Sequence, residues 1–77
     1  MASLTFLRVK FTSTSVIFLL SDNSTHYRLY TAVPFTFLYE TQATPAQRED
    51  FDIIANGKIV EWAQLGQMVT MEQVVGS

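Results

Sequence analysis

The segment NGKIVEWAQLGQMVTMEQVV, residues 56–75, indicates how this small chain completes its core. Asn56 and Gly57 favour the positive φ angles of a tight β-hairpin turn, and β-branched residues stand on both sides of them. Trp62, the single Trp of the chain, ends the second strand, and large aromatic side chains dominate the energetics of small cores. We therefore predict a hairpin over residues 51–62 and a core that contains Phe51, Ile53, Ile59, Trp62, Leu65, Val69 and Val74.

Two helix starts flank this hairpin. Thr44 and Gln47 have the spacing of a capping box, in which two side chains satisfy the first free amides of a helix, and Pro45 suits the first helical position. Thr70 and Gln73 repeat that spacing near the C-terminus. We predict a helix of about two turns from Pro45, a loop over residues 63–68, and a C-terminal helix after Thr70.

The first half of the chain has the pattern of β-strands. In LTFLRVKF, residues 4–11, Leu7 alternates in phase with Val9, and Phe6 alternates in phase with Arg8. VIFLL and THYRLYTAV follow as two further apolar stretches, separated by the turn-forming sequences TSTS and SDNS. Three strands joined by such short turns predict an antiparallel meander.

Residues 35–42, FTFLYETQ, fit two different structures. Phe35, Phe37 and Tyr39 alternate as in a strand, whereas Phe35, Leu38 and Tyr39 form a helical stripe. The pattern favours a short helix after Pro34, which cannot donate to a strand ladder. The predicted fold is one small α+β domain over residues 1–77, in the order β-β-β-α-α-β-β-α.

Composition limits the chemistry that the chain can support. The 77 residues include no Cys and one His, which argues against disulfides and against the usual zinc sites, and 48% of them are apolar. The longest apolar run, VIFLL, is far shorter than the roughly 20 residues of a membrane span. At the N-terminus the basic residues follow the apolar ones, the reverse of a signal peptide. We expect a soluble cytoplasmic protein without a cofactor or a membrane contact.

Catalysis is not expected from the sequence. No nucleophile elbow, phosphate-binding glycine loop or metal-ligand spacing is present. His26 lies two residues from Arg28 on the same predicted strand face, so we interpret it as a solvated imidazole rather than a general base. The sequence therefore predicts no catalytic residue and no metal ligand.

Charged residues suggest two candidate surfaces. A basic sheet face would suit single-stranded nucleic acid, although such platforms usually present two or three aromatic residues and this one has a single Tyr. Around Phe51, an acidic patch would suit a basic partner, or would serve only solubility. The candidate basic face consists of Arg8, Lys10, His26, Arg28 and Tyr30, and the candidate acidic patch of Glu49, Asp50 and Asp52.

A third candidate surface is the aromatic junction VPFTFLYE, residues 33–40. One small core has limited room for so many large side chains, and large exposed apolar patches usually mark interfaces. We predict that Phe35, Phe37, Leu38 and Tyr39 contribute to self-association or to docking a partner protein.

A series of motifs runs through the second half of the chain. ATPAQR stands at residues 43–48, and Phe51, the turn ANG and Trp62 follow it. Leu65 and the closing segment VTME complete the series. Over residues 43–75 this order resembles the short form of a prokaryotic family, domain of unknown function 2442.

This resemblance implies binding more readily than catalysis. The family has no established biochemical activity, and its members are associated with mobile elements and small two-gene cassettes. The chain departs from the family pattern after Trp62, where Ala63 replaces a usual Pro and GQM replaces an acidic run. Residues 30–42 are also longer and more aromatic than the usual connection. These departures argue against a cation-binding role for the loop.

Together these observations give two functional hypotheses. The first is a non-enzymatic protein-interaction module, antitoxin-like or accessory to a mobile element, that binds itself or a small partner protein. The second is a weak nucleic-acid-binding module that uses the basic sheet face. They differ in salt dependence, because contacts to phosphates weaken steeply as salt is added.

Overall fold

The first third of the chain forms the predicted antiparallel meander. A computed structural model of the protein describes residues 4–39 and 42–76. Each strand of the meander pairs with the next in the chain, so the middle strand lies between the other two. The side chains of Val16, Phe18 and Leu20 point to the buried side of the sheet. The strands of this first sheet are β1 (Phe6–Phe11), β2 (Ser15–Leu20) and β3 (Thr25–Leu29).

A β-bulge near the start of β1 changes which residues share a face. Phe6 pairs with Leu20 and Arg8 pairs with Leu19, so the strand contains an extra residue between these two pairs. Phe6 and Val9 are consequently both buried although they are three residues apart. Simple alternation predicted Phe6 in phase with Arg8, and the bulge makes that prediction wrong.

The second sheet also contains three antiparallel strands, one more than predicted. Residues 67–70 form its third strand, whereas part of this stretch was expected to be a loop. Gly66 has φ +64°, a left-handed conformation that turns the chain back after a short 3₁₀ helix over Ala63–Leu65. The strands are β4 (Asp52–Ile54), β5 (Ile59–Trp62) and β6 (Gln67–Thr70), with β5 in the middle.

Both predicted capping boxes form. The Thr44 hydroxyl accepts from the Gln47 amide, and the Gln47 side chain accepts from the Thr44 amide. Thr70 and Gln73 make the same pair of hydrogen bonds. The helices that they begin are α1 (Pro45–Glu49) and α2 (Met71–Val75), and residues 35–38 form a 3₁₀ helix. The structure confirms the α+β class.

The two sheets share one hydrophobic core. Trp62 is fully buried and contacts Phe11 of the first sheet, with ring centroids 6.4 Å apart. Val69 and Val74 are fully buried, and Phe51, Ile53 and Leu65 pack against the cluster. Ile59 does not lie in the core as predicted. Side chains alternate along a strand, so Ile59 cannot share the inner face of β5 with Val60 and Trp62.

A buried arginine joins these elements. Arg48 is 6% exposed, and its Nε donates to the carbonyl of Leu38 at 2.6 Å. The guanidinium carbon lies 4.5 Å from the ring centroid of Tyr30, a cation–π contact that is stronger where water is excluded. The Arg48 carbonyl accepts from the Trp62 indole at 2.8 Å. Arg48 thus links α1 to the 3₁₀ helix of residues 35–38, to the end of the meander and to the second sheet.

Tyr30 completes this arrangement. Its hydroxyl donates to the Thr12 carbonyl at 2.7 Å, which fixes the turn between β1 and β2. Burial raises the pKa of the Tyr30 phenol, and the nearby positive charge of Arg48 partly opposes that rise. The phenol therefore stays neutral and remains a donor across the physiological pH range.

We predict that Arg48→Met lowers the free energy of unfolding by about 1–3 kcal/mol, because the buried Leu38 carbonyl loses its donor. Arg8→Met is the matched control, since Arg8 is exposed on β1 and its replacement should change stability by no more than about 0.5 kcal/mol. Urea denaturation measures both values. Equal effects of the two substitutions would contradict the structural role of Arg48.

The turn between β4 and β5 docks closely onto the first sheet. Gly57 has φ +85°, and its carbonyl accepts from the Phe6 amide at 2.7 Å. A Cβ atom added at Gly57 would lie 2.8 Å from Cβ of Thr5, closer than real contacts allow. Glycine is therefore needed here both for the backbone angle and for the approach of the two sheets.

Gly57→Ala should destabilise the protein more than Gly66→Ala. Both glycines have positive φ, which costs an L-residue roughly 1–2 kcal/mol. Only at Gly57 does the added methyl group also collide with another segment, because nothing lies within 4 Å of a Cβ at Gly66. Overpacking of this kind adds about 1–3 kcal/mol. Thermal or urea denaturation of the two variants tests the difference, and equal losses would count against a close docking of the turn.

Candidate functional site

The structure divides the residues predicted to form one basic face. Arg8 and Lys10 pair with Leu19 and Ile17 across β1 and β2, on the face that points away from the core. His26 pairs with the buried Phe18 and so lies on the opposite, inner face. The predicted five-residue basic face is therefore wrong as a single surface.

The two remaining members of that set, Arg28 and Tyr30, have internal partners. Arg28 is half-buried, and its Nη2 donates to the carbonyl of Val74 in the last turn of α2. A cation at this end of a helix satisfies a free carbonyl. Tyr30 is 1% exposed and lies under Arg48. Arg28 pairs with the buried Val16, so strand alternation places it on the same inner face of β3 as His26.

The outer face of the first sheet nevertheless carries positive charge beside apolar groups. Its residues surround one shallow depression of about 250 Å³. We call this surface the basic sheet face, and it is lined by Arg8, Lys10, Ile17, Leu19, Thr25 and Tyr27.

Large apolar side chains at and beside this face are exposed to solvent. Tyr27 is 63% exposed, and Leu29, which lies two residues further along the same strand face, is 56% exposed. Leu7, at the bulge next to Arg8, is 55% exposed. Exposed apolar side chains of this size beside charged ones are typical of interaction sites.

The predicted acidic patch is also distributed over different elements. Glu49 ends α1, and Asp50 follows it as the C-cap residue and accepts a hydrogen bond from the Gln64 side chain. Asp52 begins β4 and pairs with Glu61 on β5. All three predicted acidic residues are exposed, but only Asp52 lies on a sheet face.

Asp52 belongs to a second, acidic surface that the sequence analysis did not identify. The pairings of β4, β5 and β6 place the carboxylates of Asp52 and Glu61 on neighbouring strands. Both lie on the side of the sheet away from Val60 and Trp62. Met68 beside them is 50% exposed. We call this surface the acidic sheet face, and it comprises Asp52, Ile54, Ile59, Glu61, Met68 and Thr70.

The aromatic junction is mostly a core element. Phe35 and Leu38 are 2% and 0% exposed, so their predicted role in an interface is wrong. Phe37 is half-buried and its ring centroid lies 5.2 Å from that of Trp62. Tyr39 is 39% exposed. The short helical turn directs both Phe35 and Leu38 into the core. In a strand, residues three apart would point to opposite faces.

Phe37 and Tyr39 also line a surface depression of about 470 Å³. Threonine hydroxyls and the Gln42 amide form its remaining polar wall.

His26 takes part in a small polar cluster at the turn between β2 and β3. The Ser24 hydroxyl and amide both donate to Oδ1 of Asp22, at 2.5 and 2.9 Å. Nε2 of His26 lies 3.0 Å from the same hydroxyl. His26 is half-buried rather than fully solvated, which corrects the interpretation made from the sequence.

The hydrogen bonds of this cluster do not run in the direction that nucleophilic catalysis requires. In a catalytic triad the imidazole accepts the serine proton and a carboxylate holds its other nitrogen. Here the proton of the Ser24 hydroxyl is directed at Asp22, so the His26 ring must donate to the hydroxyl oxygen. The cluster therefore closes a turn, and its hydrogen bonds hold the pKa of the Asp22 carboxyl below its usual value.

Within residues 4–39 and 42–76, no group of three or more His, Cys, Asp or Glu side chains is arranged to hold a metal ion. No helix in the same part of the chain is long and apolar enough to cross a bilayer. No family model matches the chain, and neither a curated protein nor a solved structure matches it.

We predict that Ser24→Ala raises the pKa of Asp22 towards its ordinary value of 3.8, because the hydroxyl hydrogen bond is the largest cause of the lowering. A carboxyl whose pKa is lowered by folding adds stability above its unfolded pKa, and that stability is lost as the pH falls through the folded pKa. NMR titration of the Asp22 carboxyl measures the shift.

Ser13→Ala is the control for this titration, since Ser13 is an exposed serine in the other turn of the same sheet. It should leave the pKa of Asp22 unchanged. If Ser24→Ala also leaves that pKa unchanged, the hydroxyl does not stabilise the carboxylate.

Proposed function

We propose that the protein is a non-enzymatic protein-interaction module whose partner binds the basic sheet face. The observation that carries this proposal is the placement of Arg8, Lys10 and Tyr27 around one depression on the outer face of the first sheet. Aromatic and arginine side chains are enriched at protein interfaces, where they combine apolar area with polar or charged groups. The partner surface should be apolar with a negative charge.

This proposal moves the interface away from the aromatic junction. Phe35 and Leu38 are core residues, so they have no surface to offer a partner. The exposed apolar area lies instead at Leu7, Tyr27 and Leu29. A sheet face is also a rigid platform, which keeps the entropic cost of binding low.

The alternative, a nucleic-acid-binding surface, has less support. Of the five residues predicted for it, only Arg8 and Lys10 lie on the outer face, and Tyr27 is the one aromatic side chain beside them. Binding of single strands depends on several phosphate contacts and usually on two or three stacked bases. Two cations and one ring suit a protein surface better than a nucleic-acid strand.

We also propose that the chain is related to the short form of domain of unknown function 2442, and acts in the cytoplasm as an antitoxin-like or mobile-element accessory protein. The roles of the motif residues support this relationship. Thr44 and Gln47 form a capping box, Arg48 is buried between elements, and Trp62 fills the core. Residues with such linked structural roles are expected to occur together in related chains.

We expect the immobilised chain to capture host proteins from a lysate that has been treated with nuclease. The double variant Arg8→Ser and Tyr27→Ser should lose most of this capture, because it removes one cation and the exposed ring from the basic sheet face. Val33→Ser is the control, since Val33 is 86% exposed and lies outside that face. Quantitative mass spectrometry of the captured proteins gives the comparison.

Three results would contradict the proposal. One is a set of captured proteins that both variants retain equally. Another is a loss of capture on nuclease treatment, which would favour nucleic acid. The third is a salt dependence steeper than the two cations of the basic sheet face can produce, which would indicate many phosphate contacts.

A further inference from the structure

We infer that the partner of the basic sheet face is a second copy of this chain, which presents its acidic sheet face. This inference rests on the proposed function and names the occupant of the same surface. The two faces have matching composition, because each carries two charges of one sign among apolar side chains. Arg8 and Lys10 supply the positive charges, and Asp52 and Glu61 supply the negative ones.

Charge arrangement determines the symmetry of the association. A two-fold dimer that used one face would place the same charges opposite each other, and like charges in an interface are costly. Contact between the basic sheet face of one copy and the acidic sheet face of the other brings each cation near a carboxylate. The contact is therefore head-to-tail, with different surfaces on the two copies.

The fold allows one molecule to use both faces at once. The inner faces of the two sheets contribute to the same core cluster, so both outer faces are turned away from it, and no residue belongs to both of them. Each chain can bind one neighbour through its basic sheet face and another through its acidic sheet face. A head-to-tail contact of this kind produces rings or open chains of subunits.

An unfavourable charge pair within the second sheet supports a partner that binds the acidic sheet face. Asp52 and Glu61 are directly opposite each other on β4 and β5. Like charges at such positions destabilise a sheet, because their Cβ atoms are only about 5 Å apart. Two nearby cations from a neighbouring copy would reduce this repulsion. The isolated chain carries the repulsion, and the assembled chain is relieved of it.

The size of the faces indicates a weak contact. From the usual strand spacing and rise, the first sheet covers roughly 14 by 20 Å, and the second sheet, whose strands have three or four residues, covers roughly 14 by 13 Å. Such faces are smaller than the interfaces of stable complexes. We therefore expect association only at high protein concentration, and we expect salt to weaken it because the charges are near solvent.

Charge reversal provides a direct test on purified protein. The first variant combines Arg8→Glu and Lys10→Glu, and the second combines Asp52→Lys and Glu61→Lys. Sedimentation velocity at about 1 mM protein and about 50 mM salt should show wild-type association, as the low expected affinity and long screening length require. Each variant alone should have an association constant at least about ten-fold lower, because like charges then face each other.

An equimolar mixture of the two variants should recover the association. Each reversed face then meets a reversed face of opposite sign on the other chain. Recovery also shows that both variants are folded, since unfolded chains do not present these sheet faces. A far-ultraviolet circular dichroism spectrum of each variant is the independent check.

Each other outcome would overturn the inference. A wild-type protein that remains monomeric at this concentration has no such contact. Variants that associate as wild type does, or a mixture that does not recover, would show that these charges do not form it. Failure here leaves the capture experiment with host proteins unaffected, because a different partner can occupy the basic sheet face. Failure of both experiments would remove the proposed function itself.

Discussion

The contacts of Arg48 are the constraint on which the rest of the structure depends. Its side chain binds the Leu38 carbonyl and stacks on Tyr30, and its carbonyl binds the Trp62 indole. Transferring a guanidinium into the interior is costly unless hydrogen bonds and aromatic faces replace water. Every element that supplies such a partner is thereby held in place. A chain without disulfides obtains from this one side chain a connection between both sheets and two short helices.

This internal network also explains which surfaces remain for binding. Arg48 holds the Leu38 carbonyl, and the 3₁₀ helix that ends there directs Phe35 and Leu38 into the core. The aromatic junction is consequently used for stability rather than for an interface. Among the described residues no third layer covers either sheet, and each sheet therefore has one face towards solvent. We propose these two faces as the surfaces for interaction.

Local signals predicted the fold better than they predicted the surfaces. The capping boxes at Thr44 and Thr70 involve neighbours in sequence, and both form. The bulge at Leu7 has no local sequence signal, yet it decides which residues share a face with Arg8. Strand β6 contains a single buried residue, Val69, and depends on pairing with β5, so periodicity could not reveal it. The burial of Arg48 was missed for a related reason: a charged residue near a helix end is usually exposed, and its partners come from distant parts of the chain.

Exposed sheet faces with apolar side chains present a small protein with a difficulty. Such faces invite indiscriminate contact with other apolar surfaces. Charges on the same face reduce that risk, because burying an unmatched charge is costly. If both faces carried the same sign, the charges would only repel other copies. Opposite signs, as on the basic and acidic sheet faces here, exclude face-to-like-face contacts while permitting one orientation between neighbours. In the head-to-tail assembly that we propose, these charges would select the direction of assembly, and the repulsion between Asp52 and Glu61 would be the stability that the isolated chain gives up for it.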